Sequence, residues 1–133
     1  MHARLSREER RYLERARICR VGSVDKHGQT HVAPLCHALD PARPIAYVGT
    51  SETGVTARNL RKRPRAALEC DDYYEDWDRL RGVVAHAVAK AIRGGRELER
   101  AQRLLKRKFE QYRDTDIDYV IALRIERLTS WGL

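Results

Sequence analysis

GTSETGVTARNLRKRPRAALECDDYYEDW, Gly49 to Trp77, is the stretch around which the chain is organised. It reads as a strand end, a polar loop, a short helix, a basic cluster stopped by Pro64, another strand, and an acidic, aromatic loop. A strand end running through a loop into a helix start presents unpaired backbone N–H groups, which suit an anion. Hydroxyls at Thr50, Ser51, Thr53 and Thr56 add side-chain donors. Arg58, Arg61, Lys62, Arg63 and Arg65 put five positive charges within eight residues. The pattern fits a cradle for a phosphorylated cofactor. It also fits a solvated loop followed by a charged helix face.

Working outward, Arg17 to Val24 alternates as a strand with some apolar residues on both faces. Asp25-Lys26-His27-Gly28 is a hairpin turn, and Gln29 to Leu39 is the return strand. Pro34 cannot donate to a ladder, so that strand is expected at an edge or with a bulge, where a planar ligand can lie. Ile45 to Thr50 is the third strand, Val55 to Lys62 a short helix, and Arg65 to Cys70 the fourth strand. Leu80 to Ile92 is the fifth strand and Tyr119 to Glu126 the last. Ser6 and Glu9 form a capping box for a helix over residues 7–15. Leu98, Ala101, Leu105, Phe109 and Tyr112 give one apolar stripe and predict a helix over 96–113. Six strands in hairpin order with a few helices predict a mainly β fold: one domain over residues 1–133, an antiparallel barrel with helical decoration.

A chain of 133 residues, 42% hydrophobic and 35% charged, has the length and composition of one globular domain. No apolar run approaches the roughly 20 residues a membrane helix needs, and the charged N-terminus has no signal-like apolar segment. A cytoplasmic protein without a membrane partner is the expectation. Cys19, Cys36 and Cys70 are odd in number and far apart, which argues against disulfides and structural zinc. The net charge of +8 is uneven: residues 1–20 hold seven Arg against three Glu, and residues 69–78 hold six acids and no base. The acidic loop is expected to meet the basic helix of the same chain or of a partner. A positive surface attracts polyanions, but zinc-finger spacing, RNP-like strands and Gly-rich clamps are all missing, so nucleic acid is not the expected partner.

His2, His27, His31, His37 and His86 form no metal-spaced cluster, and no metal site is expected. Cys36 and His37 point to opposite faces of a strand, which separates a thiol from a base. No nucleophile elbow, phosphate loop or dinucleotide fingerprint is present. Chemistry, if there is any, is therefore expected to reside in a bound cofactor.

The order of RVGSVDKHGQTHVAPL (Arg20–Leu35), ARNLRKRPR (Ala57–Arg65), DDYYEDWDRL (Asp71–Leu80), KFEQYR (Lys108–Arg113) and IALRIERLTSW (Ile121–Trp131) resembles the pyridoxamine 5'-phosphate oxidase-like split-barrel family. Within it, the chain is similar to small flavin- or deazaflavin-dependent oxidoreductases. The resemblance implies a six-stranded antiparallel split β-barrel that forms a homodimer, with cofactors in clefts between subunits. It implies FMN or coenzyme F-420 as cofactor, haem in some members, and hydride transfer to or from a small organic substrate. Carried over by position, Val32, Pro34, Leu35 and His37 lie along the ring system, and Gly49, Thr50 and Ser51 approach the ribityl chain and phosphate. The family's phosphate-binding cation falls at Thr56, which supplies a hydroxyl but no charge; Arg58 or Arg61 is then expected to compensate. A tryptophan of relatives aligns with Leu128, although Trp131 lies close by. A non-catalytic carrier or haem-binding role is the alternative, with His37 or His86 as axial ligand. A third possibility is a polyanion-binding module.

Overall fold

A computed structural model describes all residues, Met1–Leu133. Its elements in chain order are α1 (Arg7–Arg15), β1 (Cys19–Val24), β2 (Thr30–Leu35), β3 (His37–Leu39), β4 (Ile45–Gly49), α2 (Val55–Lys62), β5 (Arg65–Asp72), β6 (Arg81–Ile92), α3 (Gly95–Lys108) and β7 (Val120–Trp131). The strands form one antiparallel sheet in the order β2-β1-β5-β6-β7-β4-β3. β2 and β3 are consecutive in the chain, yet they lie at opposite edges of the sheet. The sheet must therefore curl until its two margins are separated by Cys36 alone. That is a split barrel, with seven strands rather than six.

The seventh strand arises because residues 29–39 do not form one continuous strand. Thr30–Leu35 pairs with β1, whereas His37–Leu39 pairs with β4. Alternation alone cannot reveal this change of partner, because both halves are extended. The last strand also runs further than its pattern indicates, to Trp131. Opposite His86 and Ala87 the register slips, leaving Glu126 as an extra residue. Ile125 and the buried Leu128 are then three apart instead of two, which conceals the continuation. Leu128 fills the interior, and Trp131 covers Gly82, where an added Cβ would come within 2.8 Å of the Cys70 carbonyl.

α3 ends at Lys108 rather than Arg113. Phe109 turns extended, with φ −122° and ψ 117°, and its N–H still closes on Leu105. A 3₁₀ turn over Glu110–Tyr112 follows. The turn lets Tyr112 meet Phe109 edge to face at 6.0 Å and lie beside Gly49. The apolar stripe is thus kept while the helix stops.

Two apolar clusters share the sheet. Val21, Ala46, Val48, Leu68, Val83, Ile121, Leu123 and Ile125 face the barrel interior, joined by Leu13 of α1 and by Ala57 and Leu60 of α2. On the other face, Ile45, Tyr47, Val120 and Ala122 pack under Ala101, Leu105 and Phe109. β4 and β7 are thus apolar on both faces, as strands covered on both sides must be. The capping box forms with Ser6 and Glu9, and buried Glu9 also accepts from His2 and Ser130, tying the N-terminus to β7.

Candidate functional site

The ring-side segment splits with the strand. Val32 and Pro34 lie exposed on edge strand β2, and Leu35 is half-buried. His37 is fully buried. Its Nε2–H donates to the Leu13 carbonyl at 2.8 Å, which leaves Nδ1 as an enclosed acceptor without a partner. Burial, and then the charge of Lys108, push the imidazole down to about 4, so it is neutral at physiological pH. Neither ring nitrogen faces solvent, so His37 would reach a haem iron only if the core opened. His86 lies exposed on β6.

The loop after β4 is held from two sides. Thr50 N–H donates to the Tyr119 carbonyl at 3.3 Å, and Ser51 and Thr53 share a hydroxyl bond at 3.2 Å. An added Cβ at Gly49 would stand 3.1 Å from Ile117 and 3.2 Å from the Tyr112 hydroxyl, so glycine sets the width here. Arg61 donates to the Glu52 carbonyl at 2.8 Å and to the Tyr119 hydroxyl at 3.2 Å. Arg93 pairs with the Glu52 carboxylate at 2.8 Å, and both arginines lie over the Tyr119 ring. Arg61 is therefore committed to holding the loop.

Arg58 points elsewhere. With Lys62 and Arg63 it forms one wall of a cleft of about 620 Å³, whose other wall is the β1–β2 hairpin with Lys26, His27 and His31. Arg20, Arg43, Arg65, Arg81, Arg93 and Arg100 each have a carboxylate within 4.0 Å, but Lys26, Arg58, Lys62 and Arg63 have none. Asp25 also lines the cleft, with its carboxylate turned to the backbone N–H groups of His27 and Gln29, so one acid faces four cations and the net positive charge left over favours an anion between them. Thr56 is 4% exposed and does not line the cleft. The sequence thus grouped Arg58 with Arg61, whereas the fold separates them. It gave no role to Lys26, His27, His31, Arg93 or Tyr119 at the site. The basic run from Arg58 to Arg65 marked the region, and the four-residue step from Arg58 to Lys62 is what places those two on a common helix face.

The acidic stretch meets the Arg-rich helix α1 through a hydroxyl rather than an ion pair, Tyr12 donating to Asp72 at 3.1 Å. Arg20 takes Glu69 at 3.3 Å and Asp71 at 3.0 Å, and Arg81 takes Asp72 at 3.5 Å. These arginines come from adjacent strands.

A second cavity, of about 450 Å³, opens where the barrel splits and is lined by Arg17, Cys36, Phe109, Glu110, Gln111 and Tyr112. The Arg17 guanidinium lies 4.8 Å and Lys108 Nζ 5.3 Å from the Phe109 ring centre. Lys108 Nζ is buried and has no hydrogen-bond partner. Burial pushes its amine down to about 8, and neighbouring Arg17 acts in the same direction. An amine lowered by folding costs stability wherever it must be charged. Lys108→Met is therefore expected to stabilise the protein at pH 7 by roughly 1–3 kcal/mol. The advantage should shrink as pH rises from about 8 toward the ordinary lysine value of 10.5, where the native protein already carries a neutral amine. Urea unfolding of both proteins at pH 7 and pH 9.5 checks the sign and the slope.

No three side chains of His, Cys, Asp and Glu converge to hold a metal ion. No helix is long and apolar enough to cross a membrane. With this architecture in view, the chain belongs to the pyridoxamine 5'-phosphate oxidase family, whose model matches residues 5–132. The 5a,11a-dehydrotetracycline/5a,11a-dehydrooxytetracycline reductase of Streptomyces rimosus is 27% identical over 132 residues, covering 96% of this chain and 83% of that protein. Among solved structures, the conserved hypothetical protein Rv2991 from Mycobacterium tuberculosis superposes with a TM-score of 0.82 at 20% identity, covering 97% of this chain and 86% of that one. HutZ, the haem storage protein from Vibrio cholerae, does so at 0.77 and 16%, covering 95% and 94%. At these identities the structures establish the shared fold.

Proposed function

We propose that this chain is a cytoplasmic oxidoreductase that binds a phosphorylated flavin or deazaflavin, FMN or coenzyme F-420, in a cleft between the two subunits of a homodimer. It transfers hydride to or from a small organic substrate. The observation that carries the reading is the cleft of four cations without carboxylate partners, next to the exposed edge strand β2. Family membership and a relative named as a reductase support it.

The donor set fits such a cofactor. When bound, the cofactor supplies the hydride chemistry, and the protein's own groups bind and orient it. Val32, Pro34 and Leu35 offer a flat, extended edge to a planar ring. Gly49, Thr50 and Ser51, at the end of β4 and on the separate loop after it, are assigned to the ribityl chain. Arg58, Lys62 and Arg63 neutralise phosphate, which compensates for the uncharged residue at Thr56. Arg61 and Arg93 keep the loop in place. Val32, 64% exposed, and Val55, 41% exposed, stand beside the cleft as apolar surface that a second copy would cover.

Titration of the apo-protein at physiological salt with FMN and, separately, with F-420 tests this, followed by the cofactor's own absorbance and fluorescence. Saturable binding of either one supports the proposal and names the cofactor. Binding of neither overturns it. A Soret band on haem addition, lost in His86→Ala, would then establish the carrier role.

A further inference from the structure

The cavity at the split has its own chemistry. Its walls are aromatic at Phe109 and Tyr112, which meet edge to face, and cationic at Arg17, whose guanidinium lies over the Phe109 ring. Neither Arg17 nor Lys108 has a carboxylate partner, although both lie within 6 Å of one aromatic ring. Glu110 also lines the cavity; its carboxylate is exposed to solvent and lies 3.8 Å from the Arg113 guanidinium. Lys108 Nζ and His37 Nδ1 are two of the few buried polar atoms without a partner. Each adjoins in sequence a residue of the cavity wall, Phe109 and Cys36. A buried cation kept without a counter-charge costs stability, and a ligand that brings negative charge offsets that cost.

We propose that this cavity binds planar aromatic carboxylates, with the ring against Phe109 and Tyr112, the carboxylate at Arg17, and Lys108 adding positive charge from behind the Phe109 wall. About 450 Å³ accommodates a two-ring acid. Cys36 joins the two halves of the segment assigned to the cofactor ring, and Tyr112 also lines the small cavity at Gly49 and Thr50. The site therefore deepens the oxidoreductase reading by giving its substrate class, planar organic anions, and rests on that reading only for the chemistry after binding. Burial holds the Lys108 amine near 8; a bound carboxylate should move it up.

Cys36 is half-buried at the cavity wall, whereas Cys19 and Cys70 are buried, so Cys36 reports occupancy and the other two report an intact fold. The experiment uses cofactor-free protein and measures iodoacetamide alkylation of Cys36 by mass spectrometry. The probes are 2-naphthoate and the neutral 2-naphthalenemethanol. Saturating 2-naphthoate is expected to slow alkylation by about tenfold while the alcohol leaves it nearly unchanged, and exposed Arg17→Gln is expected to remove most of the protection. Equal protection by acid and alcohol, or protection by neither, overturns the proposal. Because no cofactor is present, this result stands or falls separately from the FMN and F-420 titrations.

Discussion

Arg58→Gln, Lys62→Gln and Arg63→Gln combined are expected to weaken binding of the phosphorylated cofactor by about 100-fold or more. A hydrogen bond from a cation to phosphate is worth roughly 1.5–3 kcal/mol, and loss of two of the weaker kind gives about that factor. All three side chains are exposed and none has a carboxylate partner, so their removal leaves no buried acid behind. The melting temperature should therefore stay close to that of the parent. The salt dependence of binding should flatten in the variant, since fewer charges are being screened. Arg61→Gln provides the contrast. It removes the bonds to Glu52 and Tyr119, so it should loosen the loop and alter the position of the ligand more than the electrostatic attraction. If the triple variant binds like the parent, the anion is held at the Arg61–Arg93 cluster instead.

Asp40→Ala is expected to cost about 3–5 kcal/mol of stability, the range for removing one partner of a buried charge network. Asp40 is fully buried in the turn between β3 and β4. Its carboxylate accepts from the backbone N–H groups of Ala42 and Arg43, both at 2.9 Å, and from the Tyr47 hydroxyl at 3.1 Å. Arg43 and Arg100 add their guanidinium groups at 3.2 and 3.5 Å. Burial raises the carboxyl, but the bonds from Ala42, Arg43 and Tyr47 together outweigh it and hold it at about 2. A carboxylate lowered by folding contributes stability that is present above its unfolded value near 3.8 and is lost as pH falls through about 2. That slope is worth roughly 2 kcal/mol, so the difference between parent and variant should narrow from pH 7 to pH 2.5. Parallel urea titrations at the two pH values measure it. Because Arg100 belongs to α3, the same substitution should also disturb Phe109 and Lys108 at the far end of that helix.

Most of the architecture was legible because its signals are local. The capping box at Ser6 and Glu9, the hairpin at Asp25–Gly28 and the apolar stripe of α3 each depend on a few neighbouring residues. Non-local features were hidden. Nothing in the composition of residues 29–39 reveals that the chain changes partner at Cys36. The bulge at Glu126 erases the alternation by which the rest of β7 would be found. The candidate site was legible as a region but not as a set of contacts. Spacing put Arg58 and Arg61 together, and only the packing of α2 against the hairpin and the Tyr119 loop shows that they face different places. Lys108 is one of eight Lys or Arg between residues 93 and 113, and its burial follows from tertiary packing.

The single-residue joint at Cys36 makes barrel closure almost free of loop entropy. Once β2 lies on β1, the start of β3 is already at the opposite margin, and no long segment has to be gathered in. The same joint is an aperture with an independent adjustment. An extra residue there would widen the mouth beside Phe109 and Tyr112 without shifting the ladder on either side, so the size of molecule admitted can drift while the scaffold keeps its register.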